Sequence, residues 1–101
     1  MKLVINDCYG GFGLSKKEEA ELKKLGYDNE DIYSFNYDIS QRNNKDLIKV
    51  IEALGEKANE DGASLSVIEL PDEITDYEII MEEYGNEYVI YVLNGKIKHE
   101  Y

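Results

Sequence analysis

The sequence predicts a single α+β domain over residues 1–101, with a C-terminal antiparallel three-stranded meander in a mixed sheet packed by two helices. Three observations carry that expectation. Two segments place a capping residue ahead of an apolar helical stripe, two turn signals punctuate the last third, and a short apolar run opens the chain. At 101 residues the chain fits one domain and buries roughly two thirds of its unfolded surface. With 43% apolar residues it can build a packed core. No linker, internal repeat or low-complexity segment interrupts it.

Taken in order, "LVI" (3–5) reads as a short buried strand. Ser15 is a natural N-cap, and Glu18 three residues on completes a capping box. The helix "KKEEAELKKL" that follows has lysines in its last turn and Gly26 as its left-handed stop. Ala20, Leu22 and Leu25 give it a narrow apolar stripe. "IYSFNYDI" alternates, with Tyr33, Phe35, Tyr37 and Ile39 on one side, so period two predicts a strand. "SQRNN" reads as a loop. Asn44 caps a second helix, "KDLIKVIEALGEKA", with Leu47, Val50, Ile51, Leu54 and Ala58 on one face, ended by "NEDG". "SLSVIELP" is a strand closed by Pro71, the only proline.

In the C-terminal third, Gly85-Asn86 suits a type II′ turn and Asn94-Gly95 a type I′ turn. Two-residue loops at both places set Glu82 opposite Val89, Ile80 opposite Tyr91, and Lys98 opposite Tyr91. That register gives a core face of Ile79, Met81, Tyr88, Ile90, Val92, Ile97, His99 and Tyr101. The other face, mixed and partly wet, carries Glu78, Ile80, Glu82, Glu87, Val89, Tyr91, Lys96 and Lys98.

Charge is the compositional feature that bears most on function. Twenty-two acids against eleven bases give a net charge of −11. Direct binding to nucleic acid or an anionic membrane is thereby repelled, and basic partners are attracted. No base lies between Lys57 and Lys96, while ten acids do. The single cysteine, Cys8, excludes an intramolecular disulfide, and no apolar run approaches the ~20 residues that span a bilayer. The expectation is a cytoplasmic protein, a monomer or small homo-oligomer, with no membrane association.

Catalytic and cofactor motifs are sparse. "CYGGFGLS" (8–15) is rich in glycine, but from Gly11 and Gly13 a dinucleotide fingerprint would need a glycine where Lys16 stands. The P-loop spacing fails as well. Two readings remain: a structural turn into a helix, or an anion site of Gly10, Gly11, Gly13, Ser15 and Lys16 built from helix N-terminal amides. Against the second, Ser15 and Glu18 already occupy some of those amides. Cys8 lacks a base unless His99, the only histidine, supplies one, and the register places His99 in the core. One Cys and one His cannot form a structural zinc site, and the acids lack calcium-loop spacing. No cofactor, metal or enzymatic activity is expected.

The strings "INDCYGGFGLS" and "VIEALGEKA…LSVIELPDE" resemble a family of short, largely uncharacterised proteins of phage genomes and prophage regions. Its members open I-N-x-C, then an aromatic or His, then G-G-F-G-L-S. A helix ending L-G-E-K-A and a strand ending in an I/L-P-D turn come later. The matching stretches are 3–15 and about 47–73. The resemblance implies a phage setting and brings no established activity with it.

Three functions follow as expectations. The first is a binding protein whose acidic surface blocks a basic nucleic-acid-handling host protein, as an anti-CRISPR or similar DNA mimic does. It would use Asp72, Glu73, Asp76, Glu78, Glu82, Glu83 and Glu87, with Tyr84 and Tyr91 as apolar anchors. The second is a nucleotide or small-molecule sponge using the 10–17 loop. The third is a structural or regulatory phage protein whose charge only keeps it soluble.

Overall fold

The opening apolar run forms strand β1 (Lys2–Asn6), which occupies the middle of the molecule. The computed structural model describes residues 1–8, 10–55 and 64–100. Leu3, Val4 and Ile5 are all fully buried because β1 is covered on both faces. It pairs antiparallel with β2 (Leu65–Glu69), setting Val4 opposite Val67. Val4 and Leu65 pack under the helices with Leu22, Ile32, Phe35 and Leu47. Leu3 and Ile5 point the other way, to a second core with Leu70 and Val89.

Helix α1 (Lys16–Lys24) starts as expected: the Glu18 amide donates to the Ser15 hydroxyl at 3.2 Å, and the Ser15 amide donates to the Glu18 carboxylate at 2.7 Å. Gly26, at φ +104°, reverses the chain after it. The expected stripe shrinks to Leu22, since Ala20 is exposed and Leu25 is 50% exposed. Helix α3 (Lys45–Leu54) is capped by Asn44, whose side-chain oxygen accepts the amides of Asp46 and Leu47. It buries Leu47, Ile48, Val50 and Ile51. Ala58 and the expected "NEDG" stop lie outside the described residues.

The strand expected from "IYSFNYDI" is overturned: Asn29–Tyr37 is helix α2, followed by a 3₁₀ turn at Ile39–Asn43. The reason is local. Asp28 and Asp31 exchange capping-box hydrogen bonds of 2.9 and 3.0 Å, which start a helix whatever the alternation beyond them. Ile32 and Phe35, three apart, then share the buried side. Tyr33 and Tyr37, four apart, meet on the exposed side with tilted rings, their centres 4.6 Å apart. The "SQRNN" loop is this 3₁₀ turn, and it carries Arg42 inward.

The meander forms from β3 (Asp76–Met81), β4 (Glu87–Leu93) and β5 (Lys96–Glu100), in that spatial order. Its second turn is as predicted. Asn94 and Gly95 both have positive φ, and Tyr91 stands opposite Lys98. The first turn differs. Glu82 donates its amide to the Asn86 carbonyl, and the Gly85 amide bonds the Glu82 carbonyl, so Glu83-Tyr84-Gly85 is the loop. With Gly85 at φ +90° this is a three-residue hairpin with a glycine bulge.

That loop slides β3 along β4, bringing Ile79 opposite Val89 and Tyr77 opposite Tyr91. The slip is an odd number of residues, so it exchanges the faces. The core side is Val89 with Tyr77, Ile79 and Tyr91 packed around it. Ile80, Tyr88, Ile90, Val92, Ile97 and His99 form the outer side, the reverse of the expectation for most of them. Tyr101 is outside the described residues. The expected mixed sheet is likewise two antiparallel sheets, β1–β2 and β3–β4–β5. Among the described residues three α-helices, not two, complete the α+β domain.

Candidate interaction surface

The glycine stretch is where three parts of the fold meet. Gly10 donates its amide to the Tyr84 carbonyl at 2.7 Å, tying this loop to the β3–β4 turn. The approach is close enough that a Cβ on Gly85 would lie 2.3 Å from the Gly11 amide nitrogen. Phe12 lies against the Arg42 guanidinium, 3.6 Å from ring centre to carbon. The Leu14 amide is taken by the Asn36 side chain at 2.9 Å, and the Ser15 amide by Glu18. Lys16 is exposed, and Gly13 has open space around its Cβ position. The loop's shape is thus accounted for by packing and helix capping.

Arg42 and Glu87 form the polar centre of the joint. Arg42 reaches Glu87 with both terminal nitrogens, at 2.6 and 2.9 Å, and both residues are 5% exposed. The same carboxylate accepts the Asn6 amide at 2.8 Å. Arg42 Nε is the one buried side-chain nitrogen or oxygen without a partner among the described residues. Glu87 was expected on the acidic surface; it is a buried, paired carboxylate instead. Tyr91, expected as an exposed anchor, is half-buried on the core side of β4. Both corrections follow from the slipped register, which turns odd-numbered β4 residues inward.

The remaining acids do stand in solvent. Asp72, its side chain 93% exposed, bonds the N-terminal ammonium at 3.0 Å, with Glu73 exposed beside it. Asp76 and Glu78 lie on the outer face of β3, about 6.7 Å apart from strand geometry. Glu82, Glu83 and Tyr84 stand exposed in the turn beyond Met81. Among the described residues no basic group pairs with Asp76, Glu78, Glu82 or Glu83. Residues 76 to 82 therefore make an acidic margin about 20 Å long on one side of an open sheet.

Between Asp76 and Glu78 and the middle of the meander is a shallow hollow floored by Ile90, Val92 and Ile97. Ile97 is 69% exposed and Met81, at the end of β3, is 64% exposed. Sequence reasoning placed all four in the core. The signal for the true arrangement was present in Glu83-Tyr84-Gly85, which suits a three-residue glycine-bulge loop as well as Gly85-Asn86 suits a two-residue one.

Other reactive groups are tied into the fold. The Cys8 thiol donates to the Asn6 side-chain oxygen at 3.1 Å, and the Ser64 amide donates to the Cys8 sulfur at 3.0 Å. His99, expected in the core, is exposed on the outer sheet face with its ring 6.1 Å from that of Tyr88. Among the described residues no cluster of His, Cys, Asp and Glu could hold a metal ion, and no helix is long and apolar enough to cross a membrane. The chain matches no protein-family model, no curated protein and no solved structure.

Proposed function

We propose that this chain is a phage-encoded acidic binding protein that docks on a basic, nucleic-acid-handling host protein in the cytoplasm and blocks it. The observation that carries this reading is the margin of Asp76, Glu78, Glu82 and Glu83, exposed on an open sheet. Asp72 and Glu73 extend it, and Glu87 and Tyr91 drop out. The protein works by occupying a surface, without cofactor or catalysis, as a monomer or small homo-oligomer. It does not bind nucleic acid itself, because a net charge of −11 repels it.

Magnitudes divide the labour on that surface. A solvent-exposed ion pair contributes about 0.2–1 kcal/mol, so four such acids do not make a tight complex alone. Their larger effect is on encounter, where steering raises association rates about 10- to 1000-fold at low salt. Affinity then needs apolar anchors, and exposed Met81, Tyr84 and Ile97 are placed to supply them.

The test is capture from nuclease-treated bacterial lysate, followed by challenge with salt and with duplex DNA. A basic nucleic-acid enzyme retained by the wild type, released by DNA, and lost on combined Asp76→Lys, Glu78→Lys, Glu82→Lys and Glu83→Lys substitution is the expected result. Retention unchanged by those substitutions in a folded variant would overturn the reading.

A further inference from the structure

Taking the acidic-surface reading as its basis, we infer that β3 is a docking edge for an extended partner segment in which Lys or Arg alternates with aliphatic residues. β3 ends the order β3–β4–β5, and among the described residues no strand pairs with its outer side. The direction of its amides follows from the turn. Glu82 donates to the Asn86 carbonyl at 2.8 Å, and bonded residues alternate along an antiparallel ladder. Asp76, Glu78 and Ile80 accordingly turn their amides to β4, while Tyr77, Ile79 and Met81 turn theirs outward.

The outward side is short of strand-like partners. The Tyr77 amide is taken by the side chain of the preceding residue, Asp76, at 2.9 Å, the place an incoming carbonyl would fill. An exposed edge of this kind accepts an added strand, with main-chain bonds giving affinity and alternate side chains giving selectivity.

Selectivity is written in the two faces of β3. Asp76 and Glu78 stand on the outer face; Tyr77, Ile79 and Met81 stand on the core face. A strand laid beside them with bases on one face and aliphatics on the other meets carboxylates with bases and apolar groups with apolar groups. Met81 is 64% exposed, and an added strand would cover it.

The experiment uses the full chain and an end-blocked, fluorescein-labelled heptapeptide alternating lysine and valine, read by anisotropy at 0.15 M salt. A control carries the same residues in block order. The alternating peptide should bind about tenfold more tightly, the worth of a few cross-strand pairs. Met81→Lys and the pair Asp76→Lys, Glu78→Lys should each remove that preference. Hydrogen exchange should show new protection at Tyr77, Ile79 and Met81 and none along β5.

Equal binding of both peptides would overturn the edge while leaving the acidic-surface reading intact, since charge alone explains it. Preference surviving Met81→Lys in a folded protein would also overturn it. Self-association of the chain abolished by the same substitutions would overturn it too, because a second copy would then be the occupant. Capture of a basic host protein without any of these peptide effects would likewise overturn the edge and leave the acidic-surface reading standing.

Discussion

The helical half and the meander are built on opposite plans. Around Val4, Leu22, Phe35 and Leu47, three helices close over one face of the β1–β2 ribbon, while Leu25, Tyr33, Tyr37 and Ile39 stay exposed on their outer sides. The meander packs one face on Leu3 and Ile5, and among the described residues no strand pairs with either of its edges. The first half gathers the larger buried core, and its exposed apolar side chains have few acids unpaired beside them on a common face. The second retains several in solvent, beside unpaired acids, where they can meet another molecule. Beside the apolar contact of Val89 with Leu3 and Ile5, the joint between them is polar: the Arg42–Glu87 pair, the Gly10–Tyr84 bond and the Gly11–Gly85 approach.

The largest test of that division is to break the joint. Arg42→Ala leaves Glu87 buried without its partner and should cost about 3–5 kcal/mol in chemical denaturation. The double variant Arg42→Met, Glu87→Leu should recover most of it, since apolar groups replace both charges together. A loss below about 1 kcal/mol for Arg42→Ala would mean the two halves hold together without the pair.

Next in size is Gly85→Ala, expected to cost about 1–3 kcal/mol through a disfavoured φ and the collision with Gly11. Gly26→Ala shares the positive φ but has open space around its Cβ, so the difference between the two measures the clash. If Gly85→Ala costs no more than Gly26→Ala, the close approach does not join the halves.

The helical half has its own pH signature. Burial holds the Glu18 carboxyl above its ordinary range, and hydrogen bonds from Ser15 offset this only in part. The folded state therefore holds that proton more firmly than the unfolded state does. The stability it adds is present in acid and is lost as pH rises through the raised value. Glu18→Gln keeps the capping box and removes the titration. Denaturation series should show a flatter pH profile above the usual carboxylate range and neutral-pH stability within about 1 kcal/mol of wild type.

The smallest stability effect belongs to the open face. Asp76→Lys and Glu78→Lys are exposed and should each shift stability by no more than about 0.5 kcal/mol. The same changes should abolish partner capture. Large effects on folding and none on binding would reverse the assignment of roles.

What was legible in the sequence is instructive residue by residue. Ser15 with Glu18, Asn44 ahead of Leu47, and Asn94-Gly95 each specify their structure through contacts within four residues, and all three formed as read. Asp28 with Asp31 was equally local, but the alternation of Tyr33, Phe35 and Tyr37 hid it. Gly85 drew the wrong turn because the two candidate loops share the same glycine and differ in which flanking residues pair. The choice fell to Val89, which fills the core against Leu3 and Ile5 only in the observed register.

By itself, then, the sequence determined the α+β class, the helix caps, the second hairpin and the concentration of acids after Lys57. These depend on short-range hydrogen bonds, backbone preferences and composition. Only the tertiary structure decided which meander face is buried, that Glu87 leaves the acidic surface to pair with Arg42, and that β3 has no strand on its outer side among the described residues. Each of those is a contact between residues 45 or more apart, or the lack of one, and no local pattern encodes it.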